Sequence, residues 1–119
     1  PMPMDFNTRQ EMDGLVKFAN QEDWLAVVLV AAPFHQLRAF LTLVAAIKAA
    51  AGSRLHVYNL PGIALPWGIA DPNAKGANRP GLRIDWIETE ARRIEEYTAK
   101  GDLATVDEAL EYLRWRDAY

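Results

Sequence analysis

The stretch WLAVVLVAAPFHQLRAF, residues 24–40, decides the fold. Its first part, 24–31, is short, rich in β-branched residues and apolar on both alternating faces, which is typical of a central strand in a parallel sheet. We therefore expect helices to cover both faces of this strand. Pro33 or Phe34 then opens a helix, because proline is accommodated in a first turn, and Gly52 marks its end.

A second strand is predicted after this helix. Residues 54–60 alternate two sets of side chains, as in a strand near a sheet edge. Strand, helix and strand together span about 37 residues, the size of a βαβ unit with parallel strands. The predicted fold class is therefore α/β, with a partial Rossmann-like βαβ unit.

Helices are expected on both sides of this unit. A capping box formed by Thr8 and Glu11 begins a first helix that runs to about Gln21. After the second strand, helical spacing runs from 82 to 101, and a second capping box, at 105–108, begins a final helix, so the chain closes with an αα-hairpin. The acidic residues of the third helix are predicted to form a solvated face; they are Asp85, Glu88, Glu90, Glu95 and Glu96.

A change of composition separates the two halves of the chain. Residues 61–80 contain four prolines and three glycines and show no usable periodicity. A loop of this length in a compact domain is usually a lid, a binding loop or disorder. We expect one domain over 1–119, in which 1–3 are a remnant of expression or a misplaced start outside the fold.

Composition excludes several classes of function. The formal net charge is −3, so the chain has no electrostatic footprint for nucleic acid or for anionic lipid. It has no cysteine, which excludes disulfides, thiolate metal sites and a cysteine nucleophile. Its longest apolar run, 24–34, is far shorter than the roughly 20 residues that a membrane helix needs. No targeting pattern is apparent, and the cytoplasm is the expected location.

Two strands do not make a free-standing parallel sheet, because each needs neighbours and a helical layer on either face. The helix over 34–51 is apolar on two sides, which also calls for a second partner. We therefore expect a homo-oligomer, most simply a dimer. The alternative is that the C-terminal helices fold back and cover these surfaces.

His35 and Arg38 are the strongest candidates for a binding site. They follow the carboxyl end of the first strand, where ligands bind in open α/β sheets and where helix N-termini favour anions. Their i,i+3 spacing lets an imidazole and a guanidinium converge on a phosphate, a carboxylate or a sulfonate. The alternative is structural: His35 caps the helix, and Arg38 pairs with an acidic residue of the first helix.

The remaining candidates have weaker support. His56 is more typical of a satisfied sheet histidine than of a ligand, and two histidines without HxH or HExxH spacing predict no metal site. A serine triad is not expected, because Ser53 is the only serine. Further ligand contacts are predicted for Asn7, Thr8, Phe34 and Trp67, although capping is the better explanation for the first two and packing into the domain explains Trp67 equally well.

The chain resembles the SanA/YdcF/ElyC-type family of bacterial α/β proteins of unknown function. Family members show an acidic residue, then Asn-Thr and a nearby Glu at a helix start, then a hydrophobic strand that ends in a Thr-Ser-x-x-His-x-x-Arg-Ala pattern. The match covers about 5–60, and the residues at the motif positions are Asp5, Asn7, Thr8, Glu11, His35, Arg38 and Ala39.

The resemblance implies a Rossmann-like fold whose Asn-Thr and His-x-x-Arg turns border a crevice for a nucleotide-like molecule such as S-adenosylmethionine. Ala31 and Ala32 stand where the family has Thr-Ser, and only the C-terminal half of the family fold is matched. The leading hypothesis is a domain that binds a phosphorylated or nucleotide-like small molecule at the end of strand 24–31. The alternative is a non-enzymatic dimerisation or protein-interaction module that has lost this site. Whether the chain is an enzyme stays open, since a general base at His35 has neither nucleophile nor metal beside it.

Overall fold

The computed structural model describes residues 8–62 and 85–118. In chain order the elements are α1 (Thr8–Gln21), β1 (Ala26–Leu29), α2 (Gln36–Ala49), β2 (His56–Asn59), α3 (Asp85–Ala99) and α4 (Val106–Asp117). The predicted mixed α/β class is confirmed, with far more helix than strand. Asn7, Trp67 and all of the predicted loop beyond Gly62 lie outside the described residues.

β1 and β2 pair in parallel, as predicted, with Ala26 opposite His56 and Leu29 opposite Asn59. Both strands are shorter than the predicted 24–31 and 54–60, and each has four residues. The amide of Gly62 still donates to the carbonyl oxygen of Ala31 at 2.8 Å, so the two chain segments stay together beyond the ladder. The Rossmann-like character of this unit stays a prediction.

The prediction that both faces of β1 are covered is wrong for the described part of the chain. Side chains alternate across a strand, and on one face Val27, Leu55 and Val57 pack into the core formed with α1 and α2. On the other face Val28 is 61% exposed, and Val30, just after the strand, is 58% exposed. The helices of the described residues therefore cover one side of the sheet and leave the other side open.

α2 is the central element of the core. Phe40, Leu43, Val44 and Ile47 are buried, and α2 contacts α1, α3 and α4. The two-sided apolar character of this helix was expected to require a second chain, but the chain itself buries the large apolar side chains of α2 except Leu37, which is 58% exposed. A further uncovered apolar surface lies on the sheet.

Polar contacts fix the outer helices around α2. The guanidinium of Arg9 in α1 donates to the carbonyl oxygens of Gly101 and Asp102, at 2.9 and 3.2 Å, in the turn before α4. Lys48 of α2 lies 2.8 Å from the carboxylate of Glu108 in α4. The capping box predicted at the start of α4 is confirmed, since the Thr105 hydroxyl accepts from the Glu108 amide and the Glu108 carboxylate accepts from the Thr105 amide. These contacts orient α1 and α4 relative to the sheet.

Side chains of α4 close the outer edge of β2. The Tyr112 hydroxyl accepts a hydrogen bond from the amide of Val57 at 2.8 Å and donates one to the carbonyl oxygen of Leu55 at 2.6 Å. Arg116 donates to the carbonyl oxygen of Val57 at 2.9 Å. Buried backbone groups must find partners, and here two side chains of a helix supply what a third strand would otherwise supply.

We expect Tyr112→Phe to lower the free energy of unfolding by about 1–3 kcal/mol, because the change leaves a buried amide and a buried carbonyl without their shared partner. Urea denaturation measured at neutral pH checks this. Tyr58→Phe is the control, since Tyr58 is half-exposed, and it should change stability by less than about 0.5 kcal/mol. Equal effects of the two substitutions would contradict the bridging role of the Tyr112 hydroxyl.

Candidate functional site

The start of α2 lies at the carboxyl end of β1, where the sequence placed the candidate site. A turn over 33–35 precedes the helix, which begins at Gln36 rather than at Pro33 or Phe34. His35 is the N-cap residue, but its side chain makes no capping hydrogen bond. Its amide donates to the carbonyl oxygen of Ala32 at 2.8 Å. The backbone of this turn therefore orients His35 and leaves its imidazole available for another partner.

That partner is Glu90 of α3, which also binds Arg38. The Arg38 Nε lies 2.5 Å from Oε2 of Glu90, and Nη2 lies 3.1 Å from Oε1, so the guanidinium binds the carboxylate with two donors. His35 Nδ1 lies 3.5 Å from Oε2 of the same carboxylate. Arg93, one turn later in α3, lies 3.7 Å from Oε1. The structure thus brings His35 and Arg38 together, as predicted, on a carboxylate of the chain itself.

Two expectations about this region are wrong. Arg38 pairs with α3 and not with an acidic residue of the first helix. Glu90 was assigned to a solvated acidic face, but it is only 5% exposed. A signal for its burial was present in the sequence, because Glu90 lies four residues before Ile94 and seven before Tyr97, which both pack against the core.

The environment of Glu90 favours its charged form. Burial by itself would raise the pKa of the carboxyl group, but hydrogen bonds from His35 and Arg38 and their positive charge outweigh burial and lower the pKa from 4.5 to about 2. Glu90 is therefore ionised at neutral pH. The cluster of Glu90, His35, Arg38 and Arg93 is named the Glu90 cluster below.

The side chain of Gln36 occupies the carboxyl end of the sheet. Its Nε2 donates to the carbonyl oxygen of Leu29 at 3.0 Å and to Oδ1 of Asn59 at 2.8 Å, and its Oε1 accepts from the amide of Ala31 at 2.9 Å. One side chain thus joins the ends of both strands. The sequence-based interpretation did not include Gln36 in the site. The available signal was that Gln36 directly follows His35, at the start of the same helix.

Among the described residues, Thr8 is not part of the Glu90 cluster. Thr8 begins α1, and no hydrogen bond or ion pair between described residues joins it to His35 or Arg38. Phe34 lies in the turn before α2 and is half-buried. Asn7 and Trp67 lie outside the described residues, so their contacts stay predictions.

His56 is held inside the fold, as the structural interpretation expected. Its Nδ1 lies 3.1 Å from the carbonyl oxygen of Arg54, and its ring centre lies 4.6 Å from that of Trp115. Within 8–62 and 85–118, no three histidine, aspartate or glutamate side chains are grouped so that they could hold a metal ion. No helix in these two ranges has the length and apolar character needed to cross a membrane.

A groove runs along the free side of β1, away from the Glu90 cluster. It has a volume of about 520 Å³ and is lined by residues 24–29 together with Leu15 of α1 and Leu43 of α2. Leu25 in this groove is 82% exposed. The groove therefore lies beside β1 on the side of the sheet that α1 and α2 cover, and its lining is mostly apolar. The sequence-based interpretation did not place a site there.

Comparisons with protein-family models, with curated proteins and with solved structures found no match to this chain. The resemblance to the SanA/YdcF/ElyC-type family stays a prediction, as do the ligands that it implies. The function is therefore argued from the contacts described above.

We expect Glu90→Gln to lower the free energy of unfolding at neutral pH by about 3 kcal/mol, because it leaves the buried Arg38 guanidinium without its counter-ion. The pKa of Glu90 is lowered on folding, so its contribution is present above pH 4.5 and is lost as the pH falls from 4.5 towards 2. The variant should therefore lose less stability than the wild type over that range. Urea denaturation at several pH values measures both effects.

Glu88→Gln is the matched control, since Glu88 is an exposed carboxylate on the same helix. It should leave both the stability at neutral pH and its pH dependence close to those of the wild type. If the two variants behave alike, Glu90 does not act as a buried counter-ion.

Proposed function

We propose that this chain is a non-enzymatic assembly module that associates with a second copy of itself through its two-stranded sheet. The observation that carries the proposal is the exposure of large apolar side chains on and around a sheet of only two short strands. These exposed residues are Trp24, Leu25, Val28, Val30, Tyr58 and Leu60. Monomeric proteins rarely expose an apolar patch of several hundred Å² without a role in binding.

The small size of the sheet also supports association. Isolated two-stranded sheets are marginally stable, and parallel strands are normally buried on both faces. The core side of this sheet is well packed, since Leu55 and Val57 are almost fully buried. Association with the sheet of a second copy would enlarge this two-stranded sheet, and sheets of three or more strands are the stable ones.

The state of the predicted ligand site favours assembly over small-molecule binding. The guanidinium of Arg38 is already paired with the carboxylate of Glu90. At the carboxyl end of the sheet, the side chain of Gln36 already forms hydrogen bonds of its own. A ligand anion would have to displace a buried carboxylate that is stabilised in its charged form. Ala31 and Ala32, where the resembling family has hydroxyl groups, agree with the loss of a ligand site.

One observation supports a second candidate function, the binding of a phosphorylated or nucleotide-like small molecule. The Glu90 cluster contains two positive charges, on Arg38 and Arg93, and one negative charge, on Glu90. The side chain of His35 is 27% exposed and adds a further hydrogen-bond donor at the rim of the cluster. This excess of positive charge lies at the start of α2, where anions are favoured. Such a ligand would bind at the rim and leave the pair of Arg38 and Glu90 intact.

For assembly, we expect the molar mass of the purified chain to rise from that of a monomer to that of a dimer between low and high micromolar concentration. Multi-angle light scattering coupled to gel filtration measures this mass. The melting temperature should rise with protein concentration, because association stabilises the folded chain by mass action. A monomeric mass together with a melting temperature independent of concentration would refute the proposal.

For the second candidate, inorganic phosphate should raise the melting temperature more than chloride does at equal ionic strength. Sugar phosphates, nucleotides and S-adenosylmethionine extend the same assay to larger ligands. Arg93→Gln should abolish the phosphate effect, whereas Arg92→Gln, on the exposed side of the same helix, should retain it. Equal shifts by phosphate and chloride would exclude an anion site at the rim.

A further inference from the structure

The two edges of the sheet differ in how their backbone groups are satisfied. The amides of His56 and Leu60 donate to the carbonyl oxygens of Leu25 and Leu29, at 2.9 and 3.0 Å. Backbone groups alternate in direction along a strand, so the odd-numbered residues of this segment face β2. The amides and carbonyls of 26, 28 and 30 therefore face away from β2. These outward groups are named the β1 edge.

Nothing in the described part of the chain closes the β1 edge. On the β2 side, Tyr112 and Arg116 bind the outward amide of Val57 and the outward carbonyl oxygens of Leu55 and Val57. No residue of 8–62 or 85–118 makes a hydrogen bond to the outward groups of Ala26, Val28 or Val30. The edge also lacks the charges, lysines and prolines with which proteins usually block edge pairing, since 24–32 contain none of them.

We infer that β1 pairs antiparallel with β1 of a second copy, with the two-fold axis at Val28, to form one continuous four-stranded sheet. In this register Val28 lies opposite its own copy, and Ala26 lies opposite Val30 of the partner subunit. All outward backbone groups of the β1 edge then have partners. The inference rests on the proposed function, for which it names the contact surface.

The distribution of charge favours antiparallel over parallel pairing. Glu22 and Asp23 are acidic residues that directly precede the apolar segment of β1. Parallel pairing would bring these carboxylates side by side, which destabilises a strand pair. Antiparallel pairing places them at opposite ends of the interface. It also forms an isologous contact that closes at two copies, so it does not propagate into a filament.

Apolar side chains flank the β1 edge. Trp24, Leu25, Val28 and Val30 are all exposed, so the paired strands would bring apolar side chains of the two copies next to each other. The pairing also continues the core. On the packed side of the sheet, Val27 would lie opposite Leu29 of the partner subunit, next to the groove of about 520 Å³ below the edge.

Val28→Pro tests the backbone pairing. The amide of Val28 points away from β2, so in the dimer proline removes the two hydrogen bonds between the opposed residues at position 28 and none within the β1–β2 ladder, and proline is tolerated at strand edges. We expect the dimer dissociation constant, measured by sedimentation equilibrium, to rise by at least about tenfold, which corresponds to about 1.4 kcal/mol. Val106→Lys, at an exposed apolar residue of α4 away from the sheet, should change it by less than about twofold. Circular dichroism verifies that both variants are folded.

Cysteine cross-linking tests the register without disturbing the backbone. The chain has no cysteine, so Val28→Cys and Leu60→Cys each provide a single thiol. Opposed residues in an antiparallel pair have Cα atoms about 5.5 Å apart or less. A short bifunctional thiol reagent should therefore cross-link Val28→Cys efficiently and Leu60→Cys poorly. This result decides the register even where Val28→Pro fails to fold.

The outcomes separate this inference from the proposed function. Association of the wild type with efficient cross-linking at position 28 supports both. If the wild type associates but Leu60→Cys cross-links in place of Val28→Cys, the contact is through the sheet face, so the edge pairing is wrong and the assembly function stands. If the wild type is monomeric at every concentration, both are refuted.

Discussion

A two-stranded sheet has two edges, and the backbone groups along each edge need hydrogen-bond partners. In this fold α4 supplies hydrogen-bond partners for the β2 edge, because the hydroxyl of Tyr112 lies between the amide of Val57 and the carbonyl of Leu55. The position of α4 therefore depends on the sheet, and the stability of the sheet depends on α4. The same requirement at β1 has no solution among the described residues, and this asymmetry between the two edges is the basis of the proposed assembly.

The Glu90 cluster shows how a site predicted from residue types can become a structural element. His35 and Arg38 do converge, and they converge on a carboxylate from α3 rather than on an open crevice. A buried charge needs a counter-charge and hydrogen bonds, and this pair provides both. The contact fixes α3 against the start of α2 across more than 50 residues of sequence. The positive charge that would attract an anion from solution is thereby used mainly within the fold.

Much of the architecture could be predicted because it follows from local patterns. The capping box at Thr105 and the apolar spacing of α1 and α2 are encoded within a few residues, and the length of the crossover predicted parallel strands. The partner of Arg38 and the exposure of Val28 depend on how distant segments pack, which periodicity does not report. Glu90 shows the difference. Its residue type predicts exposure to solvent, whereas its spacing from the apolar residues of α3 predicts burial. The prediction from spacing is the correct one.

The hydrogen bonds of Gln36 have a consequence for the order of folding. Its side chain joins Leu29 and Ala31, which are near it in sequence, to Asn59, which is 23 residues away. A parallel strand pair forms only after the crossover between its strands has closed, which carries an entropic cost. Because Gln36 lies in the first turn of α2, its amide satisfies both strand ends only when helix and strands are present together. We therefore expect β1, the start of α2 and β2 to become ordered in one cooperative step rather than in three successive ones.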